Sequence, residues 1–125
     1  ASKKAIGLKK RAAVSKNLTP ERLKDAYFHI TNLSLLAKSD AKFEKIIKKY
    51  MQKSVDDGTL AQFAFSLKET PNKWVIVEIY KDEASFESYR HSENYKAYVK
   101  ERVGLIDEFD GFALKNETSF SKVKF

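Results

Sequence analysis

Residues 74–98 read WVIVEIYKDEASFESYRHSENYKAY, and this stretch decides the fold. Its first seven residues are aromatic or β-branched apart from Glu78, which suits a pleated strand better than a helix. Asp82 is then placed to cap a helix carrying Ala84, Phe86 and Tyr89. Ser92 is placed to cap a second helix, with Tyr95, Tyr98, Val99, Arg102, Val103 and Ile106 on one side. The unit is therefore a strand running into a broken helical segment.

The same signals extend upstream. TPNK, residues 70–73, is a turn, and TLAQFAFSLKE before it is a strand, so the two apolar runs make an antiparallel hairpin. Ahead of the hairpin Phe43, Ile46, Ile47, Tyr50, Met51 and Val55 recur on one face of a helix opened by Ser39 or Asp40. Lys42, Lys45, Lys48, Lys49 and Lys53 fill its other side, and Gly58 ends it. YFHITNLSLLA, residues 27–37, lacks helical spacing and reads as the first strand. The tail DGFALKNETSFSKVKF holds a last strand, expected at 118–125. The order β-α-β-β-α-β is the α+β, ferredoxin-like arrangement of an antiparallel sheet with helices on one face, which serves too many functions to name one.

Face patterns add a constraint. The face away from the helices should be polar where it meets water. Trp74, Ile76, Glu78 and Tyr80 alternate with Val75, Val77 and Ile79. Phe63, Phe65 and Leu67 oppose Leu60 and Ala64, and Tyr27, His29, Leu33 and Leu35 oppose Phe28, Ile30 and Leu36. Neither face suits solvent, so a homodimer is expected, with two sheets packed face to face into a dimeric α/β barrel.

The chain has 125 residues, enough for one core, with no cysteine and two histidines, which argues against disulfides, thiolate chemistry and a dedicated metal site. No apolar run has the length of a membrane span, and a cytoplasmic location is expected. The formal charge is +7, and residues 1–25 hold eight basic and two acidic residues. Residues 1–26 are thus a basic N-terminal extension, with a short helix over TPERLKDA and Ile6, Leu8, Val14 and Leu18 available for docking. Residues 27–125 are the domain proper. With the body nearly neutral, no nucleic acid is expected. QFAFSLK only superficially echoes the aromatic motif of RNA-recognition modules, lacking its Lys/Arg-Gly opening.

VIVEIYKDEASFESYRHSENYKAY and HITNLSLLAKSDAKFEKIIKKY together resemble the antibiotic biosynthesis monooxygenase-like proteins over about Tyr27 to Phe125. The resemblance implies a dimeric α/β barrel with a cleft between sheet and helices. It also implies a cofactor-independent monooxygenase of a small aromatic or quinol-like compound, a non-catalytic ligand-binding module, or, third, a heme-degrading protein. Asn32 lies where the heme-degrading branch has a strand Asn near the oxygen ligand, and Tyr80 where it has a Trp beside the macrocycle. The iron-ligand position of that branch is matched by Val99, which cannot bind iron. Other members carry His where Tyr89 and Asn94 stand. His91, two residues beyond Tyr89, points about 200° away from it on a helix.

The candidates that follow are Asn32, Tyr89 and His91 for catalysis and Trp74, Tyr80, Asn94 and Phe28 for substrate binding, with no cofactor and no metal. Asn32 shares a face with Phe28 and Ile30 that is expected to look toward the helices. Trp74 and Tyr80 are expected to wall a flat substrate, and His29 to face the dimer interior. Glu78, a charge in an apolar strand, needs cationic or hydroxyl partners and is expected to tie the subunits or the site together.

Overall fold

A computed structural model describes residues 6–16 and 18–115. The elements in chain order are β1 (Leu8–Ser15), β2 (Tyr27–Leu35), α1 (Asp40–Asp56), β3 (Ala61–Leu67), β4 (Lys73–Tyr80), α2 (Glu83–Arg90), α3 (Glu93–Glu101) and β5 (Ile106–Lys115). The sheet order is β1-β3-β4-β2-β5, with every neighbouring pair antiparallel. Strands β2 to β5 with their helices are the ferredoxin-like arrangement, and β1 extends the sheet beyond β3.

Local chemistry accounts for the helix ends. Asp82 accepts the Ser85 N–H at 2.7 Å and Ser92 accepts that of Tyr95 at 3.1 Å, so both short helices start on side-chain caps. Gly58 stands at φ +122°, a conformation that lets the chain leave α1 and enter β3 without a Cβ penalty. The main core lies between the sheet and α1, where Phe43, Ile47, Met51, Trp74, Leu33 and Leu35 are buried.

Four expectations are corrected. The basic N-terminal extension, expected to hold only a short helix, is part of the sheet: Leu8–Ser15 pairs with Leu67–Ala61 as an edge strand. Arg11 holds it there. Its guanidinium lies 5.2 Å from the Trp74 ring centre, donates to Ser66 at 2.9 Å and Glu44 at 3.2 Å, and approaches Asp40 at 3.5 Å. A register shift between Lys10 and Ala12 breaks the alternation that marks a strand in sequence. The expected helix over TPERLKDA is a run of turns closed by bonds such as Leu23 N–H to Thr19 O, since so short a segment does not sustain a helical nucleus. The last helix stops at Glu101, and Gly104 at φ +82° turns the chain so that Ile106 opens β5. The last strand described is therefore Ile106–Lys115, and the 118–125 segment lies outside the described residues.

The fourth correction concerns sidedness. Tyr27 pairs with Tyr80, His29 with Glu78 and Leu33 with Trp74, so these residues share the helix-covered face. Phe28, Ile30 and Asn32 pair with Ile79, Val77 and Val75 on the opposite face. With both faces apolar, alternation alone could not say which one the helices cover.

The outer face is bare over much of its area. Ile30, Phe63, Phe65, Leu67, Val75 and Val77 are half-buried, and Phe112, Leu114 and Leu8 are 45%, 52% and 46% exposed. One end is closed by Leu23 and Ala26, which pack with Phe28, Leu60, Ala61, Phe63, Val77 and Ile79.

Candidate functional site

The helix-covered face carries a polar cluster at the end of the core where β4 runs into α2. Phe86, the one buried residue of α2, anchors that helix. Its ring lies 4.7 Å from Tyr27, 5.0 Å from His29 and 5.4 Å from Tyr80. One turn on, Arg90 sits with its guanidinium 4.6 Å from the Phe86 ring and 4.9 Å from the Tyr95 ring. It donates to the Tyr95 hydroxyl at 2.7 Å and contacts His29 Nε2 at 3.0 Å.

These contacts order a relay. A single Arg90 nitrogen reaches both ring nitrogens of His29, Nε2 at 3.0 Å and Nδ1 at 3.4 Å. His29 Nδ1 stands 3.6 Å from Glu78 Oε1, and Tyr80 donates its hydroxyl to Glu78 Oε2. The sequence Arg90, His29, Glu78, Tyr80 is thus a polar chain through the interior. Gly111 makes room for it: a Cβ there would stand 3.1 Å from His29 Nε2.

Burial tunes the phenols. It pushes Tyr80 far above the ordinary tyrosine value, reinforced by the Glu78 carboxylate, and pushes Tyr89 up as well. Tyr98 is pushed up to about 12, again by burial, with Arg102 acting in the opposite direction. These hydroxyls are protonated at neutral pH and available as donors. Next to Glu78 in register is Gln62, whose amide donates to Ser54 at 3.0 Å, and Ser54 in turn lies 2.6 Å from the Thr59 hydroxyl.

A cavity of about 20 Å³ remains among Gln62, Glu78, Tyr50, Tyr89, Tyr95 and Tyr98. That is space for a water or a diatomic molecule, not for an aromatic ring. Tyr89 also borders an open cleft of about 490 Å³ edged by the 57–59 turn, Ser85 and Ser88, so its side chain lines both spaces. Asn94 donates to the Tyr89 hydroxyl at 3.4 Å. Asn94 Oδ1 and Arg90 Nε are buried and have no hydrogen-bond partner among the described residues.

Of the residues singled out in sequence, Tyr80, Tyr89 and Asn94 come together here. Asn32 and Phe28 do not, because they lie on the outer face, where Asn32 borders a groove of about 360 Å³ with Lys73, Glu108 and Asp110. Trp74 is on the right face but six residues from Tyr80 along β4, about 20 Å at roughly 3.3 Å per residue. It packs edge-on against Phe43, so the two rings do not wall one small substrate. His91 is exposed at the end of α2, its backbone N–H on Ser88 O. His29 faces the helices, not a dimer interior. Glu78 finds its partners, Tyr80 and His29, inside its own chain. Arg90, Gln62, Ser54, Tyr95 and Tyr98 were not singled out. Arg90 had a sequence signal in its spacing of four from Phe86, and Gln62 had none.

Fold and site define a ferredoxin-like domain with a phenol-lined interior around one carboxylate. The antibiotic biosynthesis monooxygenase family model matches residues 26–101, and the chain belongs to that family. No curated protein matches it in sequence. Among solved structures it is similar to a "putative monooxygenase" from Lactobacillus acidophilus NCFM, with TM-score 0.78 and 18% identity over 90% of this chain and 52% of that one. A second, a "putative monooxygenase" from Fusobacterium nucleatum, gives TM-score 0.72 and 22% identity over 88% and 49%. The chain thus spans about half the length of these two. A third is SnoaB of Streptomyces nogalater, a cofactor-independent oxygenase, at TM-score 0.65 and 11% identity over 72% and 91%. These likenesses establish the shared fold. Among the described residues no helix is long and apolar enough to cross a membrane, and no group of three or more acidic or histidine side chains is arranged to hold a metal.

Proposed function

We propose that this domain is a cofactor-independent monooxygenase of a small, electron-rich aromatic of the hydroquinone type, acting between sheet and helices. The observation that carries this reading is Glu78, a carboxylate whose side chain is 13% exposed, on the wall of a phenol-lined cavity. A hydroquinone must lose a proton before it passes electrons readily to dioxygen, and a fixed carboxylate beside a water-poor space is suited to take it. With Tyr89 swung aside, Asn94 lies where it can donate to the developing oxyanion, and His29 with Arg90 supports the charge on Glu78. Because about 20 Å³ does not admit a ring, the substrate enters only as Tyr89 moves aside into the open cleft.

Oxygen uptake with a panel of quinols and anthrones tests the reading. Turnover in the wild type that falls at least about a hundredfold in Glu78→Gln is expected, in line with the usual size of general-base catalysis. No uptake with any member of the panel, or an unchanged rate in the variant, refutes it. A second reading, a ligand-binding module without turnover, is favoured by the filled interior; binding of the same compounds without oxygen uptake is its signature. Val99 stands on α3 where heme degradation calls for an iron ligand, and a heme titration without a Soret shift closes that branch. We assign the cover of the apolar outer face to a second copy of this chain, on the strength of Leu8, Phe112 and Leu114 lying exposed there beside half-buried Phe65 and Val75.

A further inference from the structure

All six tyrosines of the chain belong to one run of ring contacts. Tyr27 and Tyr80 share Phe86, Tyr80 meets Tyr89 at 5.9 Å, and Tyr89 meets Tyr95 at 5.5 Å. Tyr95 meets Tyr98 at 6.2 Å, and Tyr98 meets Tyr50 at 5.9 Å. At these separations neighbouring rings interact directly, so an electron vacancy created anywhere in the run has a short route to the rest.

The members differ in how well they can hold such a vacancy. Tyr95 lies under the Arg90 guanidinium at 4.9 Å, and Tyr98 under that of Arg102 at 4.9 Å. Tyr50 lies under the ammonium groups of Lys49 and Lys53, at 5.1 and 5.3 Å. A cation over a ring is attracted by the electron density of that face and opposes its removal. Tyr89 accepts from Asn94, so its hydroxyl is engaged by a donor that cannot take its proton. Tyr80 is 1% exposed and donates its hydroxyl to Glu78, whose carboxylate is 13% exposed, whereas the carboxylate that Tyr50 meets, Glu101, is open to solvent.

We propose that Tyr80 is a redox-active tyrosine with Glu78 as its proton acceptor, and that it holds the one-electron oxidising equivalent for the whole aromatic run. In the step, an organic peroxyl radical (ROO•) that reaches the aromatic run from outside takes one electron from Tyr80 and leaves as its anion, while the Tyr80 hydroxyl proton passes to Glu78. The products are a neutral phenoxyl radical at Tyr80, a protonated Glu78 and the organic hydroperoxide anion (ROO−). The proton crosses a hydrogen bond already made, so no heavy atom has to move for the charge to be neutralised in place. The inference rests on this pair and its surroundings and does not depend on a quinol being turned over.

The test generates the oxidant from outside. The full chain is flashed with a ruthenium tris-bipyridine and persulfate mixture at neutral pH, frozen, and read by electron paramagnetic resonance. A neutral tyrosyl signal is expected in the wild type and in Tyr50→Phe. In Tyr80→Phe, which keeps the ring and its packing, that signal is lost or replaced by one of different hyperfine pattern. In Glu78→Gln the Tyr80 signal drops sharply, because a neutral amide cannot take the proton. A wild type without a tyrosyl radical, or the same line shape and yield in Tyr80→Phe and Glu78→Gln as in the wild type, overturns the proposal. Should Tyr80→Phe fail to fold by circular dichroism, Glu78→Gln decides alone.

Discussion

The buried phenols make stability fall steeply at alkaline pH, and the slope is calculable. Tyr98 ionises at about 12 in the folded chain against an ordinary value of 10.0, because burial disfavours its anion. The folded state therefore holds this proton more tightly than the unfolded one. Its contribution is fully present below pH 10 and is lost as pH rises from 10 through 12, by about 1.4 kcal/mol per unit and about 3 kcal/mol in all. Tyr80 is raised further, by burial and then by Glu78, and adds a similar slope over the same window. Together the two steepen the loss between pH 10 and 12 beyond what Tyr98 alone would give. Urea unfolding at a series of pH values, read by the fluorescence of Trp74, the chain's single tryptophan, measures the slope. Tyr98→Phe should remove about 1.4 kcal/mol per pH unit of it. At neutral pH it should cost less than about 1 kcal/mol, since the bond lost, from Arg102, is long at 3.4 Å. An unchanged slope in the variant, or phenols that ionise near 10 with the native spectrum intact, refutes the reasoning.

Three other outcomes are expected. Arg11→Ala should lower stability by about 2 kcal/mol in urea unfolding and free β1 for rapid amide exchange, because it removes bonds to Ser66 and Glu44 and the cover over Trp74. Arg11→Lys should recover only part, the ammonium having no fork to reach both sides. Gly111→Ala should drive a methyl into His29, whose Nε2 would stand 3.1 Å away, costing about 1–3 kcal/mol and breaking the Arg90 contact. Nitrogen chemical shifts of the imidazole would then move as the Arg90 contact is lost. Val75→Asp, on the bare outer face, should leave the fold intact and halve the mass seen by light scattering. A wild type already of single-copy mass would sink the assignment of that face to a second copy.

How far the sequence reached depended on whether a pattern carried one meaning or two. Asp82 and Ser92 were legible as caps because a short polar residue ahead of an apolar-periodic run has one good use, and each accepts the expected N–H. The hairpin of β3 and β4 was legible for the same reason. The strand formed by residues 8–15 was not, since LKKRAAVS offers its basic residues to any reading of a solvated arm. Only the tertiary partners of Arg11, namely Ser66, Glu44 and Trp74, turn that segment into an edge strand.

The site shows the same limit more sharply. A strand with two apolar faces has two equivalent registers of inside and outside, and a one-face error moves every side chain to the wrong layer. That is how Asn32 was expected beside Tyr80 when β2 pairs it with Val75 on the far side. Strand parity nevertheless tied Glu78 to Tyr80 before any sidedness was known, because residues two apart share a face whichever way the sheet turns. A carboxylate and a phenol on one parity of a central strand must be buried together or exposed together. Burial of the pair then demands further donors, which here are His29, reached across the β2–β4 register, and Arg90 behind it. Relations within one strand survive an error about the layer, while relations between strands do not. This is why Tyr80, Tyr89 and Asn94, all following from a single continuous stretch, meet in the structure, and Asn32 and Phe28, brought in from another strand, fall outside.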